Sequence, residues 1–393
     1  MGAILGIFFL LPHTGSQAGE PSLKEAYFYR KLGDNETQCL MCPRKCLIPE
    51  GARGVCRNRE NQSGTLFALT YGRPCSIAVE PIEKAPFWHF IPGHKRLCVA
   101  TVGCNLRCKY CQNWHISQKR VEEVRHYNLS PEEIVEIAKR EGVKSICFTF
   151  SEPTAFYEYM YDIAKLAKEN GLMTSIVSNG FINPEPLRKL TKVLDAVKID
   201  LKGFSEDFYE EVCFGRLEPV LNTLRILKEE GTWVEIVNLI VPPLNDDANE
   251  IEKMCEWIKK NLGDEVPLHF IRFFPNYKLT HLPPTPVETL EKAIEIAQGV
   301  GLKYVYIGNV PGHKYNFTYC PKCGRCLIKR VVFFLLENNI VNGRCKFCGE
   351  KIPGFWGRNL KKSRGGEHAK TREEKNLDFT NCAHNTGLAI LAV

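Results

Sequence analysis

Apolar runs alternate with amphipathic segments through the middle of the chain, from about residue 97 to residue 307. Between the runs lie helical patterns, such as Ser130-Pro131-Glu132-Glu133, where an N-cap residue precedes a first-turn proline and two acids. A helical period also links the apolar residues from Val287 to Ala297. Near-continuous apolar strands that alternate with helices predict an α/β fold with a parallel sheet and external helices. The runs interpreted as strands are Leu97–Val102, Ser145–Phe150, Leu172–Ser178, Ala196–Leu201, Trp233–Val241, Leu268–Phe274 and Lys303–Ile307.

The number of strand–helix units limits the architecture. Six or seven units fall short of the eight in a complete TIM barrel, so we predict an open, partial (β/α) TIM-like barrel over residues 97–312. Before it we expect a leader with a short helix over residues 1–36, then a cysteine-rich metal-binding region and its linker over residues 37–96. After it we expect a second cysteine-rich unit over residues 319–356 and a disordered tail over residues 357–393.

The apolar run Ile4–Leu11 is too short to cross a bilayer, and no other segment of the chain reaches the necessary length. Ser16-Gln17-Ala18 has the composition of a signal-peptide cleavage site, but no Lys or Arg precedes the run. An ordinary or misassigned start is therefore favoured over a signal peptide. We expect no association with a membrane.

Composition becomes informative at the cysteines. The chain is 44% hydrophobic and 25% charged, which is typical of a soluble globular protein. Its net charge of +7 is mild and gives little support for nucleic-acid binding. In contrast, 18 cysteines occur among 393 residues, and most form C-x2-C and C-x3-C groups, the pattern of metal ligands rather than of disulfides. This pattern indicates a reducing compartment, so we expect a cytoplasmic protein.

A C-x3-C-x2-C motif, formed by Cys104, Cys108 and Cys111, follows the first predicted strand of the barrel. Thiolates suit iron–sulfur clusters, and a four-iron cube held by three cysteines keeps one iron open for a small molecule. A structural zinc site or an inert cluster is the alternative. The ligand count, the aromatic Tyr110 before the last cysteine and the position after a strand together favour the open cluster.

Polar residues stand where the next predicted strands end, which is where (β/α) barrels carry their chemistry. Glu152 follows the second strand, and the segment Ser178-Asn179-Gly180, suited to a hydrogen-bonded turn, ends the third. At the fourth, alternation sets Lys198, Asp200 and Lys202 on one face, where charges would be costly in a purely packed interior. We therefore expect a polar small-molecule site at this end of the barrel.

Other residues on the rim have two interpretations. Asn245-Asp246-Asp247 either joins the site or caps the helix that follows. His269, a single histidine on an apolar strand, is more typical of a satisfied core residue than of a functional one. Gly308-Asn309 either completes the rim or simply turns the chain.

Two further cysteine groups flank the barrel. Near the C-terminus, two C-x2-C turns, each followed by glycine, predict a four-thiolate zinc ribbon, with rubredoxin-type iron as the alternative. Near the N-terminus, four cysteines within 18 residues predict a second metal site, either zinc or an auxiliary iron–sulfur cluster. The first group is Cys320, Cys323, Cys345 and Cys348, and the second is Cys39, Cys42, Cys46 and Cys56.

The cysteine motif, Gln112-Asn113-Trp114 beside it and the upstream segment Pro81–Gly93 together resemble the radical S-adenosylmethionine (SAM) proteins of the AmmeMemoRadiSam system, relatives of pyruvate formate-lyase activating enzyme. The resemblance extends from about residue 25 to residue 356, and Ala85 stands where that family usually has a second Lys. It implies a [4Fe–4S] cluster and SAM as cofactors. It also implies that Glu152 binds the SAM ammonium, that Asp200 and Lys202 contact its ribose and carboxylate, and that the N-terminal cysteine group is a family feature.

The activity implied by this resemblance is reductive cleavage of SAM to a 5′-deoxyadenosyl radical, which abstracts hydrogen from a macromolecular substrate, as in glycyl-radical activating enzymes. The implied partners are an electron donor such as flavodoxin or ferredoxin, Amme-type and Memo-type proteins, and a substrate that is a protein rather than RNA. A radical enzyme that modifies tRNA or another RNA is the alternative. A metal-stapled binding module without catalysis is the second alternative, which a failure to release 5′-deoxyadenosine from SAM would favour.

Overall fold

The structure is a computed structural model that describes residues 23–356. The expectations for the leader and for the tail therefore fall on residues 1–22 and 357–393, outside the described part. Residues 23–36 contain two short strands, and the short helix expected within residues 1–36 stays a prediction. Asp34 and Asn35 both adopt the left-handed backbone conformation, which closes a hairpin and does not continue a helix.

Six short strands form two antiparallel three-stranded sheets, in the orders β2-β3-β4 and β1-β6-β5, before the central sheet begins. They are β1 (Lys24–Glu25), β2 (Tyr29–Lys31), β3 (Thr37–Cys39), β4 (Leu47–Ile48), β5 (Arg59–Gln62) and β6 (Thr65–Ala68). We call residues 37–60, which carry the four N-terminal cysteines, the N-terminal knot.

A central eight-stranded sheet follows, and its strands lie side by side in sequence order. All seven predicted strands are present, with boundaries that differ from the prediction by at most two residues. They are parallel to one another, and one further strand pairs antiparallel with the first of them at the edge of the sheet. The strands are β7 (Ser76–Pro81), β8 (Lys95–Ala100), β9 (Ser145–Phe148), β10 (Met173–Ser178), β11 (Ala196–Asp200), β12 (Trp233–Ile240), β13 (Leu268–Arg272) and β14 (Val305–Gly308).

The α/β fold with a parallel sheet is thus confirmed, whereas the partial barrel stays a prediction because strand order alone does not define curvature. The edge strand β7 was missing from the predicted set. Its residues, Ser76–Pro81, alternate weakly and end in a proline, which is tolerated at the edge of a sheet.

Helices connect the parallel strands. The start predicted at Ser130 is confirmed, because its side chain accepts a hydrogen bond from the Glu133 amide while the Glu133 carboxylate accepts one from the Ser130 amide. The helices are α1 (Trp114–Ser117), α2 (Pro131–Arg140), α3 (Tyr157–Glu169), α4 (Pro184–Thr191), α5 (Glu206–Phe208), α6 (Leu217–Glu229), α7 (Ala248–Leu262) and α8 (Val287–Val300).

The two faces of the sheet have different environments. Leu97 and Val99 of β8 pack into the main apolar core together with the helices. Their neighbours Arg96 and Cys98 point to the opposite, inner face, because side chains alternate along a strand. The inner face therefore carries the polar residues that matter for function.

A small β unit, residues 318–345, ends the described chain with a three-stranded and a two-stranded sheet. It packs tightly on the central sheet, since Tyr304 and Tyr306 share one buried cluster with Leu327 and Ile328. Its strands are β15 (Thr318–Tyr319), β16 (Cys326–Val331), β17 (Phe334–Asn338), β18 (Ile340–Val341) and β19 (Arg344–Cys345). No helix within residues 23–356 combines the length and the apolar character needed to cross a membrane.

Candidate functional site

One cavity of about 350 Å³ runs along the inner face of the central sheet to the carboxyl ends of its strands. This volume lies within the usual range for small-molecule sites. Its wall contains all three motif cysteines and all five residues predicted to bind a cofactor. These residues are Cys104, Cys108, Cys111, Glu152, Ser178, Asn179, Asp200 and Lys202.

The loop that carries the motif cysteines is held from two sides. Gly103 has φ +96° and lies against the N-terminal knot, where an added Cβ would be 2.6 Å from the Cys56 carbonyl oxygen. On the other side, the amides of Arg107 and Lys109 donate to the carbonyl oxygens of Cys213 and Val212. Only glycine fits at this contact, so the motif loop packs directly against the N-terminal knot.

The thiols of the motif have polar neighbours inside the cavity. The Asn179 side-chain amide donates to Cys104 Sγ at 3.6 Å, and Cys111 Sγ lies 3.2 Å from Ser117 Oγ. Burial raises the pKa of the Cys104 and Cys111 thiols. A bound iron centre reverses this effect, because metal coordination deprotonates a thiol outright. Three soft sulfur donors on one loop that face a polar cavity fit an iron–sulfur cluster with an open position.

Glu152 is buried and holds the end of β10 in place. Its Oε1 accepts hydrogen bonds from the Thr154 amide at 3.0 Å and from Ser178 Oγ at 2.8 Å, and its Oε2 accepts one from the Asn179 amide at 2.9 Å. Burial raises the pKa of Glu152, although these hydrogen bonds oppose the shift. The Glu152 carboxylate is thus fixed at the cavity wall. Asn179 connects it to the cysteine loop, because its backbone amide donates to Glu152 and its side chain donates to Cys104.

Asp200 forms the centre of a charged group at the end of β11. Its Oδ2 lies 2.8 Å from Lys202 Nζ, and its Oδ1 lies 3.4 Å from Lys198 Nζ. Burial alone would raise the pKa of Asp200, but Lys202 and Lys198 outweigh it and hold the pKa below its ordinary value. Asp200 therefore stays ionised, and its Oδ1 has no hydrogen-bond donor within the described residues.

The N-terminal cysteine group lies close to this site. Cys39, Cys42, Cys46 and Cys56 line a small separate cavity, whose wall also contains Asn105, the residue after Cys104. Arg44 Nε donates to the Asn105 carbonyl oxygen at 3.0 Å. The two cysteine groups are therefore neighbours in the fold, which their separation along the chain did not indicate.

The C-terminal cysteines form a compact group. The Sγ atoms of Cys320, Cys323, Cys345 and Cys348 all lie within 4.8 Å of one another, with Cys320–Cys348 and Cys323–Cys345 separations of 3.6 and 3.8 Å. A tetrahedron with metal–sulfur bonds of 2.3 Å has edges of about 3.8 Å. Four thiols at this spacing match one metal ion. Among residues 23–356, no other set of Cys, His and acidic ligand atoms is this tight.

Several interpretations of single residues can now be decided. His269 is a buried core residue whose Nε2 lies 2.9 Å from Glu235 Oε2, and it is not in the cavity wall. Asp247 caps α7 by accepting from the Asn249 and Glu250 amides. Gly308-Asn309 does line the cavity. All cysteines within residues 23–356 are free thiols.

Sequence reasoning missed some residues near the site. Cys213, which belongs to none of the three cysteine groups, lies 3.4 Å from the Tyr110 hydroxyl and beside Cys108. Arg96, Glu80 and Lys84 also line the cavity. The available signal for this group was a charged residue, Arg96, at the start of an apolar strand. Its partners lie on other elements, so the sequence pattern did not reveal them.

Comparisons with known proteins identify the proteins to which this chain is similar. A sequence profile of the radical SAM superfamily matches residues 98–258, which include the motif cysteines and the five predicted cofactor residues. An uncharacterised protein of Methanocaldococcus jannaschii is 50% identical over 332 residues, which is 84% of this chain and 99% of that protein. The pyruvate formate-lyase-activating enzyme of Clostridium pasteurianum is 29% identical over 175 residues, which is 42% of this chain and 69% of that enzyme. A radical SAM methyltransferase structure from Sphaerobacter thermophilus has a TM-score of 0.45 and 16% identity, over 56% of this chain and 67% of that one.

Proposed function

The chain belongs to the radical SAM superfamily, with homology to pyruvate formate-lyase-activating enzymes, and we propose that it is a SAM-cleaving enzyme that generates a radical on a protein substrate. The observation that carries this proposal is the cavity shared by the three motif cysteines and the five polar residues. The superfamily implies a [4Fe–4S] cluster and SAM, and the donor set of Cys104, Cys108 and Cys111 fits such a cluster. We assign the enzyme to the cytoplasm.

The chemistry that the bound cofactors supply is the transfer of one electron to SAM, which yields methionine and a 5′-deoxyadenosyl radical that takes a hydrogen atom from the substrate. The residues of this chain bind and orient the reactants. We assign the SAM ammonium to Glu152, whose carboxylate is fixed by three hydrogen bonds. We assign the ribose and carboxylate to Asp200 and Lys202, because Asp200 Oδ1 has a free lone pair and Lys202 supplies a cation. Ser178 and Asn179 position these groups, because both donate to Glu152 and Asn179 also contacts Cys104.

A radical intermediate also needs a site from which water and stray hydrogen donors are excluded. Part of the cavity wall is apolar, and its apolar side chains come from β10, β12 and β13 and from the residues after β9. They are Phe150, Val177, Val237, Leu239 and Ile271. This wall supports a mechanism in which the substrate carbon is held near the bound SAM while bulk water stays outside.

For the C-terminal group we propose one zinc ion, which the sulfur–sulfur separations of 3.6 and 3.8 Å support. For the N-terminal knot the geometry favours the iron–sulfur alternative. Its four thiols are more widely spaced than those of the C-terminal group, and they line a cavity whose wall includes Asn105 of the motif loop. A cluster there would be well placed to pass electrons toward Cys104.

The substrate proposal follows the homology to activating enzymes, whose names state that they activate another enzyme. We propose a protein substrate, an electron donor such as flavodoxin or ferredoxin, and membership of the AmmeMemoRadiSam system with Amme-type and Memo-type partners. The resemblance of Pro81–Gly93 and Gln112-Asn113-Trp114 to that family supports the last assignment.

The test is anaerobic incubation of reconstituted full-length protein with SAM and dithionite, with 5′-deoxyadenosine and methionine measured by mass spectrometry. Cys104→Ala, Cys108→Ala and Cys111→Ala should each abolish both products. Cys326→Ala is the matched control, because Cys326 lies outside all three cysteine groups. Normal turnover in any motif variant, or a wild type that never cleaves SAM, would refute the proposal.

A further inference from the structure

The cavity extends well below the level of the cysteines. Along its lower part, toward the amino ends of the strands, the wall is formed by Glu80, Glu83, Lys84, Arg96 and Lys198, which we call the cavity floor. Lys198 precedes Asp200 by two residues on β11, and Arg96 precedes the end of β8 by four. At about 3.3 Å per residue, these positions lie about 7 and 13 Å below the strand ends.

The floor is a built structure and not a loose surface. The segment after β7 covers it and is anchored to the inner face of β12, because the amides of Trp88 and His89 each donate to the Glu235 carboxylate at 2.9 Å. Arg330 of the C-terminal unit donates to the Trp88 carbonyl oxygen at 2.9 Å. None of these anchoring hydrogen bonds involves Lys84, Arg96 or Lys198, the cations of the floor.

The cations of the floor are incompletely paired. Arg96 is 1% exposed, and its Nη1 donates only to the thiol Cys147 Sγ at 2.9 Å. Its Nη2 lies 3.8 Å from Glu80, a carboxylate already paired with Lys84 at 2.6 Å, and its Nε has no partner within the described residues.

Lys198 is in a similar position. It is 6% exposed and shares Asp200 with Lys202, which lies closer to that carboxylate. Burial lowers the pKa of Lys198; Asp200 opposes this shift, and the nearby cations Lys202 and Arg96 add to it. Three carboxylates thus serve four cations, which leaves a surplus of one positive charge. The carboxylates are Glu80, Glu83 and Asp200, and the cations are Lys84, Arg96, Lys198 and Lys202. Buried cations are costly without counter-charges, so this surplus calls for an anion.

We propose that the cavity floor binds an oxyanion of the substrate, a carboxylate or a phosphate, between Arg96 and Lys198. The inference rests on the proposed function. An oxyanion bound at the floor would orient the substrate so that its reacting carbon lies between the floor and the SAM site. A guanidinium with a free Nε–H is suited to such an oxyanion. The depth of Arg96 separates this site from Asp200 and Lys202, which we assign to SAM.

The test uses anaerobically reconstituted full-length protein with its cluster oxidised, and it measures thermal unfolding in sodium phosphate, sodium acetate or sodium chloride at equal ionic strength. Phosphate or acetate at about ten times its Kd should raise Tm by about 2 °C above chloride. A gain with phosphate alone identifies a phosphorylated substrate group, and a gain with acetate alone identifies a carboxylate. The gain should disappear in Arg96→Gln and Lys198→Met.

Arg188→Gln is the matched control, because Arg188 is exposed on α4 and its loss changes the net charge equally. It should keep the gain, and saturating SAM should leave the gain unchanged. Equal Tm values in all three salts, a gain that persists in both floor variants, or competition between SAM and phosphate would each overturn the proposal. If Arg96→Gln does not fold, Lys198→Met decides. No reductant is present, so failure of SAM cleavage, measured separately, refutes the proposed function and leaves this result intact.

Discussion

Replacing Glu152 with Gln changes one atom in the wall of the cavity and cannot be accommodated by rotation. Both carboxylate oxygens accept a backbone amide, from Thr154 at Oε1 and from Asn179 at Oε2. A carboxamide has only one oxygen, so its NH2 group must face one of these N–H donors in either orientation. Ser178 can reverse its hydroxyl, but a backbone amide cannot reverse.

The expected cost follows from this geometry. One charge-assisted hydrogen bond is lost and a buried amide is left without an acceptor, which costs about 1.5–3 kcal/mol. If Glu152 also binds the SAM ammonium, the affinity for SAM should fall by about 10- to 150-fold, since each 1.4 kcal/mol is a factor of ten. Ser178→Ala removes the hydroxyl that donates to Glu152 Oε1 and accepts from the Gly180 amide, and should cost about 1–3 kcal/mol.

Two measurements separate the structural role of Glu152 from its role as a ligand. Urea unfolding of SAM-free protein reports the free energy of unfolding, and calorimetric titration of SAM into oxidised, cluster-loaded protein reports Kd. Iron content must be checked, because Asn179 contacts Cys104. A variant with reduced stability but wild-type Kd would refute the assignment of Glu152 to SAM, and unchanged stability would refute the hydrogen-bond argument itself.

Three further predictions test other parts of the molecule. Lys202 and Lys198 hold the Asp200 pKa below its ordinary 3.8, so the contribution of Asp200 to stability is present above about pH 4 and lost at lower pH. In urea titrations, the stability difference between wild type and Asp200→Asn should therefore shrink below that pH. A constant difference would contradict the lowered pKa. Glu158→Gln leaves Arg59 buried without its 2.8 Å partner and should destabilise the protein by about 3–5 kcal/mol in urea unfolding, whereas the exposed Glu229→Gln should cost less than about 1 kcal/mol. Metal analysis should find one zinc per chain, which is lost in Cys345→Ser, and more iron than one four-iron cube contains. If the iron corresponds to one cube and a second zinc is present, the N-terminal knot binds zinc.

Much of this protein could be predicted from local sequence patterns. The strands of the central sheet are buried on both faces, so runs such as Ala196–Asp200 stand out by composition alone. The motif cysteines and the cofactor residues follow strand ends, and a parallel sheet brings its carboxyl ends together. A shared cavity at the strand ends therefore follows from the sequence pattern.

The features that could not be predicted depend on contacts between distant segments. The pairing of Tyr29–Lys31 with Thr37–Cys39 through a left-handed turn at Asp34 and Asn35 was not predicted, because composition does not reveal that preference.

The floor shows the same limit more sharply. Lys198 was recognised as a charge on the inner face, but its electrostatic state depends on Arg96, about a hundred residues earlier in the chain. A sequence pattern can indicate that a charge is buried. Only the arrangement in space shows that its counter-charge is already shared, and an incompletely paired cation deep in a cavity is the feature that points to a ligand.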